Sequence, residues 1–142
     1  MKLKDKVALV TGGGQGLGKS IALAMAKEGA SVAICDINTD TLAETTKEIE
    51  GRPSLGLRCD VSSSESVQQI FSAIRERFGT LHILVNNAAL NPTSPGDEER
   101  RNRLYAYQTA PMARQSLGIV TSMTDNDWLR FWGVNVNGGV LL

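Results

Sequence analysis

Thr11-Gly12-Gly13-Gly14-Gln15-Gly16-Leu17-Gly18 lies between an apolar run at 6–10 (KVALV) and a helical pattern over 16–28 that stops at Gly29. Glycine at this density just after a strand signals a backbone that passes close to another group. At a helix start that group is a phosphate, because the unpaired N–H groups and the positive end of the helix dipole both face outward. Bare glycines allow the turn and remove the Cβ atoms that block a pyrophosphate. The strand before and the helix after supply the context that gives such a string weight. Gly12, Gly14, Gln15, Gly16, Leu17 and Gly18 are therefore the candidate phosphate-binding residues.

Outward from this stretch, strand and helix patterns alternate. The second strand is 31–35 (SVAIC). Asn38 caps the next helix, whose apolar face is Leu42, Thr45 and Ile49 and which ends at Gly51. The third strand, 54–59, is interrupted by Gly56. Ser62 and Glu65 read as a capping box ahead of Val67, Ile70, Phe71, Ile74 and Phe78, a helical stripe closed by Gly79. The fourth strand is 81–85 (LHILV). Strands separated by helices predict a parallel sheet, since parallel neighbours need crossover connections. Right-handed crossovers then predict the order 3-2-1-4 of a Rossmann-type, doubly wound α/β sheet.

The 142 residues suit one domain, with a formal net charge of zero and a pI near 6.6. That balance points away from nucleic acid and from anionic membranes as partners. No run approaches the roughly 18 apolar residues of a membrane span, and Met1-Lys2-Leu3-Lys4-Asp5 is not a secretory signal. A cytoplasmic protein is expected. Cys35 and Cys59 are too few for a disulfide scaffold and read as buried free thiols. His82 has no neighbouring cluster of ligand residues and reads as structural, so no metal is expected.

The pattern changes between Val85 and the last helix. Asn87 to Met123 holds three of the four prolines and the charged run Asp97-Glu98-Glu99-Arg100-Arg101-Asn102-Arg103. A loop of that length suggests a short helix near 95–107, opened by Ser94-Pro95. The segment at about 90–123 reads as an exposed insertion, with a lid or partner-binding arm as the alternative. Thr124 or Asp125 then opens a final helix on which Trp128, Trp132 and Val136 form one apolar stripe. The chain stops at Leu142 within that helix, so the remainder of the domain is expected beyond it.

Asp36 ends the second strand, 18 residues after Gly18. A dinucleotide site places an acid there to accept hydrogen bonds from the adenosine ribose, and the same charge repels the 2′-phosphate of NADP. Neither Gln15 nor Ile37 supplies a compensating cation, so NAD is the expected cofactor. Asp60-Val61 ends the third strand, where the carboxylate accepts from the adenine amino group and Val61 packs nearby, or where Asp60 serves only as a helix-leading turn residue. Asn86-Asn87-Ala88-Ala89 follows the fourth strand at the sheet edge where ligands of open α/β folds bind. Its asparagines either tie strand ends together or touch a ribose.

Together these residues resemble the first half of a short-chain dehydrogenase/reductase. The resemblance covers 1–90 and 124–142 and rests on TGGGQGLG, Asp36, Asp60-Val61, NNAA and TDNDWLRFWGVNVNG. It implies reversible hydride transfer between an alcohol or carbonyl substrate and the nicotinamide of NAD. It also implies homo-oligomers, often paired through the last helix seen here. By the same resemblance Asn135 is the first member of the catalytic tetrad and holds a water that links the proton relay to solvent. Asn87, Ala88 and Ala89 join the cofactor-binding set, Ala89 standing where the family more often has glycine. The other tetrad members are a serine, a tyrosine and a lysine four residues after that tyrosine. Here Tyr105 and Tyr107 are followed at that spacing by Thr109 and Pro111. Residues 1–142 thus read as an NAD-binding Rossmann half-domain, inactive alone. The alternative is a non-catalytic nucleotide-binding or sensor module.

Overall fold

A computed structural model describes residues 1–90 and 124–142, together with helical backbone at positions 98, 99, 102, 105, 106 and 109. Those six positions fall in or beside the helix expected near 95–107, whose other residues lie outside the described ones. The role expected of the insertion, exposed arm or lid, lies outside them too.

The elements run β1 (Val7–Thr11), α1 (Gly16–Lys27), β2 (Ser31–Asp36), α2 (Thr39–Glu48), β3 (Ser54–Arg58), α3 (Ser64–Phe78), β4 (Ile83–Val85), α4 (Asp125–Trp132), a π-helical segment (Gly133–Asn137) and α5 (Gly138–Leu141). The four strands form a parallel sheet in the order β3-β2-β1-β4. This is the doubly wound α/β topology expected from the sequence.

The sheet's two faces follow from the two-residue period of a strand. Val7 and Leu9 of β1, with Ala33 and Cys35 of β2, point to one side and meet Val67, Ile70 and Ile74 of α3. Val10, Val32 and Ile34 point to the other side and meet Ala22 and Ala26 of α1 and Leu42 of α2. All five residues of β1 are buried, whereas the edge strand β4 is only partly so. Ile74 is 1% exposed. Truncating such a side chain to alanine costs about 2–5 kcal/mol, because the cavity adds to the lost transfer energy.

Several boundaries differ from the sequence reading. The Ser62/Glu65 capping box does not form. Ser63 is the N-cap of α3, its hydroxyl accepting from Ser66 N–H at 3.3 Å, while Ser62 is held one residue earlier by Asp60. Three consecutive serines, Ser62 to Ser64, offer more than one cap register, and the Asp60 turn selects the later one. β4 begins at Ile83 rather than Leu81: the His82 ring accepts Val7 N–H at Nδ1, 3.0 Å, just ahead of the ladder. That contact also gives His82 the structural role expected of it. β1 is displaced by one residue from 6–10, and β3 stops at Arg58. Asn38 caps α2 as expected, accepting from Asp40 N–H and Thr41 N–H.

The final helix is not one regular α-helix. Thr124 opens it with a capping box closed by Asp127, but a π segment replaces the regular turns from Gly133. Trp128 and Trp132 stack with ring centroids 5.5 Å apart while remaining 53% and 45% exposed. No helix among the described residues is long and apolar enough to cross a membrane.

Candidate dinucleotide site

The C-terminal ends of all four strands open onto one cavity of about 800 Å³. Its walls are the turn after β1, the end of β2, the turn after β3, the segment after β4, and Leu129, Arg130, Gly133 and Val134 from the last helical region. Gly12, Gln15, Gly16, Leu17, Gly18, Asp36, Ile37, Asp60, Val61, Asn87, Ala88 and Ala89 all line it. Parallel strands put all their C-terminal ends on one side, so residues far apart in sequence converge there.

The glycine turn is built for close approach. At Gly18 an added Cβ would overlap the Gly12 carbonyl oxygen, so α1 packs against the turn only with a bare backbone there. Gly16 opens α1 with φ +56°, the left-handed region, and nothing lies within 4 Å of its Cβ position. The N-terminus of a 12-residue helix thus opens onto the cavity at Gly16, between Gln15 and Leu17, which also line it. These amides and that space suit a pyrophosphate.

Gly14 stands apart from the other candidates. It is absent from the cavity wall and instead donates its N–H to Asp36 Oδ2 at 3.0 Å. Asp36 Oδ1 accepts Asn38 N–H at 3.1 Å. These bonds fix the carboxylate's orientation, and an ionised carboxylate with about four acceptor sites retains capacity for ligand hydroxyls. Asp60 forms the helix-leading turn, its Oδ1 accepting from Ser62 N–H and Ser62 hydroxyl, while its residue also lines the cavity.

Of the two roles open to the asparagine pair, Asn87 takes the tie between strand ends. Its Nδ2 donates to the carbonyls of Thr11 at 2.9 Å and Gly12 at 3.2 Å. Thr11, which the sequence reading did not select, completes the tie: its hydroxyl donates to Val85 O and accepts from Asn87 N–H and Ala88 N–H. Its place at the head of the glycine stretch was the available signal.

Asn135 lies outside the main cavity. It borders a smaller one of about 60 Å³ with Thr11, Asn86 and Gly138, and its Oδ1 accepts Leu90 N–H at 2.7 Å. Asn135 itself is exposed and sits on the π segment. Cys35 and Cys59 are free and buried, as expected. The hydrogen bond between their side chains holds the Cys59 thiol down at about 7, and the same bond, with burial, pushes Cys35 up. No group of three or more His, Cys, Asp or Glu suited to a metal occurs among the described residues.

The family model described as short chain dehydrogenase matches residues 6–142. The chain belongs to the short-chain dehydrogenase/reductase family. A short chain dehydrogenase/reductase of Gibberella zeae is 41% identical over 123 residues, covering 82% of this chain and 46% of that protein. A solved short-chain dehydrogenase/reductase from Burkholderia phymatum, in complex with NAD, matches 99% of this chain and 42% of its own, with a TM-score of 0.77 and 28% identity. An NAD+-bound xylitol dehydrogenase matches with a TM-score of 0.77 and 27% identity over 99% of this chain and 46% of its own. The chain thus spans about half the length of these short-chain dehydrogenase/reductase relatives.

Proposed function

We propose that residues 1–142 form the NAD(H)-binding part of a cytoplasmic oxidoreductase acting on a small alcohol or carbonyl substrate. The observation that carries this reading is the placement of Asp36 on the wall of the same cavity as the open N-terminus of α1. In this reading the amides of Gly16, Leu17 and Gly18 bind the pyrophosphate, and Asp36 accepts hydrogen bonds from the adenosine ribose. Asp60 receives the adenine amino group, Val61 and Ile37 flank the ring, and Asn87 to Ala89 border the path toward the nicotinamide. Bound NAD(H) supplies or accepts hydride at its nicotinamide ring.

Asn135 is assigned the tetrad asparagine by family resemblance, with Leu90 N–H orienting its amide. Hydride transfer also needs an acid or base beside the substrate oxygen, tuned toward neutral pH. Neither tyrosine in residues 1–142 has a lysine four positions on. We therefore assign these residues the cofactor side of the reaction alone. The exposed Trp128/Trp132 stack supports self-association as a homo-oligomer, with neither nucleic acid nor membrane as partner.

Cofactor affinity tests the reading. NAD(H) is expected to bind at least about tenfold more tightly than NADP(H), because the 2′-phosphate meets the Asp36 carboxylate. Replacing Asp36 with Ser and Ile37 with Arg should reverse the order. The NAD affinity of this variant should also fall, since Gly14 N–H loses its acceptor. Equal affinity of the unmodified chain for both cofactors, measured by NADH and NADPH fluorescence, overturns the assignment.

A further inference from the structure

The two peptide groups that meet at Gly14 are each held by a side chain from outside the glycine turn. Gly14 N–H donates to Asp36 Oδ2 at 3.0 Å, and Gly14 carbonyl accepts from Thr45 Oγ1 at 2.9 Å. Thr45 lies on α2 and is fully buried. A threonine in mid-helix commonly turns its hydroxyl back to the carbonyl four residues earlier. Thr46 does so, donating to Leu42 O at 2.7 Å. Thr45, the adjacent residue, reaches Gly14 instead, 31 residues away in sequence. An aliphatic residue of similar volume would fill that position on the buried face without needing a partner, so packing alone does not account for the hydroxyl.

The Gly14 carbonyl shares its peptide plane with the nitrogen of Gln15. Gln15 is the extended residue that precedes α1, with φ −156° and ψ 173°, and its own side chain makes no cap bond. The orientation of that plane therefore governs how the chain enters α1, and with it the direction of the amides at Gly16, Leu17 and Gly18. On the preceding plane, Asp36 holds Gly14 N–H while also lining the cavity.

The geometry points to Thr45 as a positioning residue: through the Gly14 carbonyl it aims the first-turn amides of α1 at the pyrophosphate, without itself touching the ligand. This role rests on the reading of the cavity as a dinucleotide site. It carries a consequence that simple support of the fold does not. Removing the hydroxyl weakens ligands that carry a pyrophosphate and leaves unchanged a ligand that meets only the Asp36 end.

The experiment compares Thr45→Ser and Thr45→Ala, which differ by one hydroxyl at nearly equal size, by calorimetric titration with NAD, ADP and adenosine. Thr45→Ser should bind all three within about twofold of the unmodified chain. Thr45→Ala should bind NAD and ADP about tenfold more weakly, as expected for the loss of one buried hydrogen bond, with adenosine again within about twofold. Equal NAD affinity in the Ser and Ala variants overturns the role of Thr45, as does a fall in adenosine affinity that keeps step with NAD. Either result leaves the dinucleotide reading standing. An unmodified chain that binds adenosine but neither NAD nor ADP overturns that reading, and the role of Thr45 with it. Should Thr45→Ala not fold, Thr45→Val retains the volume and serves as the hydroxyl-free arm.

Discussion

The turn after β1 and the helical region after Thr124 both border the main cavity, yet they are held in place by different means. Around the turn, polar groups are joined across long stretches of sequence: Thr11 to Val85, Asn87 to Thr11 and Gly12, Thr45 to Gly14, Gly14 to Asp36. The strands beneath it are buried. The last helical region begins with a local cap, Thr124 to Asp127, rests on the core through Val134 and Leu142, and accepts Leu90 N–H at Asn135 Oδ1. Its larger apolar residues, Trp128, Leu129 and Trp132, remain exposed. Several long-range bonds above buried strands hold one geometry, whereas a local cap specifies a helix and leaves its placement to packing and the Asn135 contact. The part of the cavity lined by residues 1–90 is thus built to a fixed shape.

Three experiments probe that contrast, and the largest expected effect concerns chemistry. Residues 1–142 produced alone should show no turnover when NADH oxidation is followed at 340 nm against a panel of aldehydes and ketones. On the proposed reading these residues hold the cofactor, and neither tyrosine has a lysine four positions on to match an acid to a forming alkoxide. Turnover by a contaminant-free preparation would erase the division between the two regions and require a proton donor among these residues.

Next in size is Gly16→Val. The side chain enters the open space before α1, and φ +56° adds strain for any branched residue. NAD binding should weaken by more than about 100-fold, with a stability loss of about 1–3 kcal/mol in thermal melts. Unchanged affinity would place the phosphates elsewhere in the cavity.

The smallest effect on binding is expected from the other region. Trp128→Ser combined with Trp132→Ser removes the exposed stack, so sedimentation should show less self-association while NAD affinity stays within about twofold. A loss of NAD affinity as large as that of Gly16→Val would mean the two regions act as one unit.

Much of the fold was legible because its signals are local. The short apolar runs of β1 and β2, the spacing of Val67, Ile70 and Ile74, and the glycines after β1 each reflect neighbours a few residues away. The register of the α3 cap was less legible, since Ser62 and Ser63 are chemically alike and only the Asp60 turn separates them. The stretch at Gly133–Asn137 carries no sequence mark that distinguishes a π segment from regular helix.

The site divides along the same line. From the sequence alone came the alternation that orders the strands β3-β2-β1-β4, and a set of candidate residues that nearly all line one cavity. Tertiary structure alone decided how those residues are employed. It made Asn87 a tie between strand ends while leaving it on the cavity wall, took Gly14 off that wall, and gave Thr45 a partner 31 residues away. Periodicity records the shape of a single element, and so it can be read along the chain. A hydrogen bond between two loops depends on how separate elements register in space, and no spacing along the sequence encodes that distance.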